Sequence, residues 1–116
     1  MAVTTPEQRA VCERFGVLPD VPAPGSKVGI AENARYRELW PINGLRHTPE
    51  AEANGWYLWA GTELSQEDDF FVPLHVQHIP EWRPELVPYL ALPPGWRFLV
   101  APGQVDVWFD ASLLLR

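Results

Sequence analysis

The chain of 116 residues has one cysteine and no lysine or arginine between Arg46 and Arg83. It also has no apolar run near the ~18 residues of a spanning helix. Each scarcity excludes something. A lone Cys12 cannot close an internal disulfide, so the scaffold is not stapled, and this usage fits a reducing cytoplasm. The start, Met1 to Glu7, lacks the basic residues and apolar stretch of a secretory signal. Nine Lys and Arg against fifteen Asp and Glu leave a formal charge of −6. That balance opposes capture by nucleic acid or anionic membrane, because both reward clustered cations. No repeat is visible, Gly29, Gly44, Gly55 and Gly61 stand singly rather than in a phosphate loop, and Ser26, Ser65 and Ser112 lack a nucleophile elbow. A cytoplasmic, acidic domain with neither membrane nor nucleic acid as partner is expected.

What is present is a globular composition, 47% apolar, with thirteen prolines and six tryptophans. Scattered prolines imply short elements with frequent stops. Thr5, Pro6 and Gln8 read as a capped helix start, with Val11, Cys12 and Phe15 on one side and Gly16 as the stop. Residues 17–26 read as a Pro-rich connector, and Lys27 to Ala31 as a short strand. Glu32 to Trp40 fits a short helix or an irregular strand, Asn43-Gly44 signals a turn, and Thr48-Pro49-Glu50 starts at most two helical turns. Trp56-Tyr57-Leu58-Trp59 is a strand with Trp56 and Leu58 on one face, Tyr57 and Trp59 on the other. Ser65 with Asp68 resembles another helix start, and residues 74–91 read as one or two short helices. Trp96–Val100 and Val105–Phe109 form a hairpin with Trp96, Phe98, Val100, Val105, Val107 and Phe109 on the core side. Its loop is expected to be longer than two residues. Ala111 to Arg116 adds a closing helical turn. The fold class is α+β: a small antiparallel sheet of three to five strands with short helices packed on one side. The chain divides into a helix and connector at 1–25 and the main domain at 26–116.

Charge is uneven. Residues 1–49 carry six basic and five acidic side chains, residues 50–116 three basic and ten acidic. Glu50, Glu52, Glu63, Glu67, Asp68, Asp69 and Glu81 fall in the stretch without cations. Such a run is either a solvated face or a negative field that captures a cationic partner. Interleaved aromatics (Trp56, Tyr57, Trp59, Phe70, Phe71) favour an interface, and at least one of Phe70 and Phe71 should be partly exposed.

Catalytic patterns are thin. His75 and His78 at i, i+3 share a helical face, with His47 as the one further histidine, but no spacing supplies a zinc site, so no metal or other cofactor is expected. Asp106 and Asp110 lie about 13 Å apart on one strand face, too far for a glycosidase pair. Arg97 on the neighbouring strand is the expected partner of Asp106. Cys12 lacks an activating base. Asn43-Gly44-Leu45-Arg46-His47 either reads a small ligand or forms a turn with Arg46 bonded to backbone carbonyls.

Several of these strings, taken in order, resemble a known family. They are Val28-Gly29-Ile30-Ala31, Pro41-Ile42-Asn43-Gly44-Leu45-Arg46-His47, Gly55-Trp56-Tyr57-Leu58-Trp59 and Asp69-Phe70-Phe71-Val72-Pro73-Leu74-His75. Tyr89-Leu90-Ala91-Leu92-Pro93-Pro94-Gly95-Trp96-Arg97-Phe98-Leu99 and Asp106-Val107-Trp108-Phe109-Asp110 follow, and these two are the most specific. Over about residues 26–116 the chain is similar to immunity-protein family thirty-three of bacterial polymorphic-toxin systems, a former domain of unknown function. The resemblance implies a non-enzymatic cytoplasmic protein that binds and neutralises a cognate toxin; it carries over no contact residues. From the residues themselves, an acidic, aromatic-bearing surface would occlude the toxin, with Tyr57, Trp59, Glu63, Glu67, Asp68 and Asp69 as contacts. A basic nuclease-type toxin would suit that surface. Two other classes stand beside this reading: an adaptor that recognises a peptide or small ligand around Arg46, His47 and Trp108, and a metal-dependent hydrolase using His47, His75 and His78.

Overall fold

A capping box starts the first helix, α1 (Pro6–Arg14), in this computed structural model, which describes residues 4–65, 67 and 69–115. The Gln8 N–H donates to Thr5 Oγ1 at 3.1 Å and the Thr5 N–H donates to Gln8 Oε1 at 3.0 Å, satisfying two donors that a helix start otherwise leaves open. Gln8 and Cys12 are buried, and Gln8 Nε2 donates to the Val87 carbonyl. Helix α1 therefore packs against the core that residues 26–116 build.

Six strands follow: β1 (Lys27–Ala31), β2 (Ile42–Arg46), β3 (Ala53–Ala60), β4 (Phe71–His75), β5 (Trp96–Ala101) and β6 (Gln104–Phe109). They form one sheet in the order β4-β1-β3-β2-β5-β6. β1 and β3 run parallel, and every other neighbouring pair is antiparallel. The α+β class holds, while the sheet is larger than expected and mixed. Two strands account for the difference. β2 runs straight through Asn43-Gly44, which is no turn. β4 takes residues 71–75, so His75 ends a strand and does not share a helical face with His78.

The connections are short. Glu32–Arg35, Val76–His78, Pro84–Tyr89 and Ala111–Leu114 are 3-10 turns, and α2 (Ile79–Trp82) is a single α-helical turn. Thr48 to Ala53 contains no helix; Glu50 and Ala53 bridge across a tight turn with Ala51 at φ 54°. Among the described residues of 61–70 no helix forms either. The β5–β6 hairpin keeps the expected pairing, with Trp96 opposite Phe109, Phe98 opposite Val107 and Val100 opposite Val105, but Val105 and Phe109 lie exposed because β6 is the sheet edge, beyond the core. Its loop is only Pro102-Gly103, because Ala101 and Gln104 already pair and Gly103 supplies the positive φ of 74° that the turn requires.

Alternation sorts the side chains. Val28, Ile30, Ile42, Trp56, Leu58, Ala60, Phe98 and Val100 face the helical side, where Cys12, Ala34, Ile79, Leu86 and Leu90 to Leu92 complete the main core. Gly44 sits opposite both Leu58 and Phe98. The Phe98 ring lies over it to reach Trp56 and Tyr89, each at 5.4 Å between ring centroids. A Cβ at position 44 would overlap that fully buried ring. Gly44→Ala should therefore cost about 1–3 kcal/mol by overpacking. Urea denaturation measures the loss, and a Gly44→Ala/Phe98→Leu double variant should lose less than the sum of its singles.

Candidate functional site

All the described helices and the other 3-10 turns leave the opposite face of the sheet largely open. The exceptions are Phe70 and Leu113, the latter from the Ala111–Leu114 turn. Ala31, Leu45, Trp59 and Leu113 form a second small cluster there, against which Tyr57, Phe70 and Phe71 pack. Four rings run in edge-to-face contact: His47 with Tyr57 at 5.6 Å, Tyr57 with Phe71 at 5.1 Å, and Phe71 with Phe70 at 4.9 Å. Trp59 meets Phe71 at 6.1 Å. Tyr57, Phe70 and Phe71 are half-buried, whereas Trp59 is only 4% exposed. Tyr57 and Trp59 thus share the expected face, but Trp59 is the support of the row and the other three rings are its surface.

A local irregularity opens a groove beside this row. Lys27 pairs with Ala53, yet Gly29 pairs with Tyr57, so β3 carries two extra residues there. Gly55 takes φ 95°, and a Cβ on it would run into the His47 carbonyl, so only glycine suits the bulge. Asn54 holds the bulge by accepting the Trp56 N–H and donating to Ser26 Oγ, both at 3.1 Å. The resulting groove, about 220 Å³, is bordered by Lys27, Gly29, Tyr57, Phe71 and Pro73.

Acidic residues precede the same row in the chain. The loop from β3 to β4 carries Glu63, Glu67 and Asp69, all exposed, and ends in Phe70-Phe71. Asp68 lies outside the described residues. Other carboxylates of the acidic stretch are engaged in ion pairs: Glu52 with Lys27, at the border of the groove, at 3.1 Å, and Glu81 with His78 at 2.7 Å. At the β5–β6 end, Arg97 pairs with Asp110 at 3.3 Å, not with Asp106, and its guanidinium stacks 5.3 Å from the Trp108 ring. Asp106 instead accepts from Gln104 Nε2. The Ser112 hydroxyl and N–H, with Arg97 behind them, hold the Asp110 carboxyl below the usual carboxylate range.

The remaining candidates are engaged in the fold. Arg46 is 2% exposed and donates to three backbone carbonyls, the second of the two arrangements its sequence context allowed, though in a strand rather than a turn. His47 Nδ1 lies 3.0 Å from the Leu113 carbonyl. Among the described residues no three His, Cys, Asp or Glu side chains are grouped as a metal would require. Burial raises the pKa of the Cys12 thiol, which points at the Ala91 carbonyl. No helix among the described residues is long and apolar enough to cross a membrane.

Alternation of the strands found Tyr57 and Trp59. It had no means of showing that Phe70, His47 and Leu113 meet them, since those contacts join the ends of separate elements. No significant similarity to a curated protein or to a solved structure was found. The family model described as Imm33-like domain matches residues 7–110, so the similarity seen from about residue 26 extends back through α1. The chain belongs to the Imm33-like family.

Proposed function

We propose that this chain is a non-enzymatic immunity protein that binds a cognate bacterial toxin through the open face of its sheet and so occludes the toxin's active site. Family membership supports the class of partner. The observation that carries the location is the row of half-buried rings, Tyr57, Phe71 and Phe70, on the face that the helices leave uncovered. Aromatic side chains with apolar bodies and little rotamer entropy to lose are what interface hot spots are made of. The groove beside them has room for one protruding side chain of the partner. Trp59 contributes by fixing Phe71 from below.

Glu63, Glu67 and Asp69, and Asp68 with them in sequence, make the rim of this site acidic. A rim of one sign speeds encounter with a partner of the other, which suits a basic toxin such as a nuclease-type domain. Association should then slow by roughly tenfold or more between low and high salt, with dissociation changing much less. Stopped-flow mixing with a candidate cognate toxin domain, sought in the neighbouring open reading frames, measures both rates. A salt-independent association rate would remove the steering role.

The direct test is co-expression. Cells producing that toxin domain should survive only with this chain present, and the purified pair should co-elute. Survival without a complex, or a complex with no protection, contradicts the reading.

A further inference from the structure

We propose that β6 joins two copies of this chain, antiparallel, about a two-fold axis through Val107. β6 ends the sheet, and its six residues contain no proline or lysine and pair without a bulge, the usual devices that keep an edge strand from pairing. The opposite edge, β4, is shorter and carries Pro73, which has no N–H to offer. Three of the five exposed side chains of β6 are apolar, Val105, Trp108 and Phe109 at 45%, 39% and 49%, and Asp106 is its one charge.

The hairpin register says which backbone groups are free. Ala101 and Gln104 flank the two-residue loop, so Gln104, Asp106 and Trp108 bond to β5, and the Asp110 N–H continues the series by donating to the Gly95 carbonyl at 2.7 Å. Val105, Val107 and Phe109 therefore direct their N–H and C=O groups away from the sheet. In an antiparallel pair, outward residues must oppose outward residues or inward oppose inward, so a symmetric contact is centred on one residue. Centring on Asp106 sets two carboxylates face to face, with Cα atoms about 4.5 Å apart. Centring on Trp108 sends Val105 past the end of the second copy's strand. Centring on Val107 lets all three outward residues pair, Val105 with Phe109 and Val107 with itself.

Charge complementarity favours the same register. Asp106 then faces Trp108 of the second copy, the ring over which that copy's Arg97 stacks. Arg97 Nε is buried without a hydrogen-bond partner within the chain, and the symmetry supplies this carboxylate-to-guanidinium contact twice. The apolar row Val105, Val107, Phe109 meets its own reverse. The two open faces become one continuous surface carrying two copies of the ring cluster.

Sedimentation equilibrium on the full chain alone tests this, needs no toxin and so stands apart from the binding proposal. Between about 1 and about 200 µM, a range that brackets a micromolar Kd, the mass should rise from 13.2 kDa toward twice that value. Asp106→Arg sets a cation against the second copy's Arg97. Val107→Pro removes an outward N–H while sparing the bonds to β5. Each should weaken the dimer at least tenfold with an unchanged circular dichroism spectrum; if Val107→Pro unfolds, Asp106→Arg decides. A monomer across the whole range overturns the proposal, as does a dimer that survives Asp106→Arg in the folded protein.

Discussion

Replacing Arg46 with methionine is expected to remove about 3–5 kcal/mol of stability, a large part of what a domain of this size possesses. Arg46 donates its Nε to the Asn54 carbonyl at 3.0 Å and its Nη1 to the carbonyls of Asp20 and Leu92 at 2.6 and 2.8 Å. Those acceptors belong to three separate segments: the connector after α1, the bulge in β3, and the chain just before β5. Burial pushes the guanidinium's pKa down, Asp20 opposes that shift, and the Trp56 ring 5.7 Å away gives the cation a further partner. Methionine matches the volume and spares the desolvation of a charge, but it leaves the three carbonyls without their donor. The penalty for buried unpaired acceptors is the larger effect. Arg46→Lys keeps the charge but not the fork, so it should fall between the two. Urea unfolding at constant m measures the series. A loss below about 1 kcal/mol for Arg46→Met would show that water replaces the guanidinium at little cost.

The parts of the fold legible in the sequence are those set by neighbours along the chain. The capping box of Thr5 and Gln8, the faces of Trp56 to Trp59 and the pairing of Trp96 to Val100 with Val105 to Phe109 all rest on local chemistry or strict alternation. β2 and β4 were hidden because each breaks a local rule for a reason located elsewhere. Gly44 weakens a strand intrinsically, yet here it gives Phe98 room to cross toward Trp56. Pro73 reads as a strand breaker, yet it is tolerated because β4 is an edge. The parallel pairing of β1 with β3 places a strand next to one that is not its sequence neighbour, and no periodicity encodes that choice.

The candidate site was half legible for the same reason. A run of carboxylates interleaved with aromatics is visible in one dimension, and Glu63, Glu67 and Asp69 are exposed in the loop that leads into Phe70 and Phe71. Burial of Trp59 is not visible, because it depends on Phe71 arriving from β4 and Leu113 from the C-terminal turn. Arg46 stood out within the polar cluster from Asn43 to His47, a signal shared by ligand-binding and structural arginines. Only the three carbonyls around it decide the matter.

Phe70→Ala together with Tyr57→Ala is expected to weaken toxin binding by about 100-fold, the combined effect of two aromatic anchors each contributing between 1 and 2 kcal/mol or slightly more. Both rings are half-buried on the open face, Tyr57 between His47 and Phe71, Phe70 edge-on to Phe71 and against the small cluster beneath. Their loss should cost the free protein less than removal of a core ring does, so the variant remains folded. Trp59→Ala supplies the contrast. That side chain is buried, so its removal should lower stability by about 3–5 kcal/mol and impair binding only through the fold. Charge reversal at Glu63, Glu67 and Asp69 supplies a second contrast, since exposed rim charges act on the association rate and hardly on dissociation. Titration calorimetry with the toxin domain, beside urea midpoints for each variant, separates the first two behaviours, and stopped-flow association and dissociation rates identify the third. A Tyr57/Phe70 variant that is folded and binds like the unaltered chain would move the contact off this face.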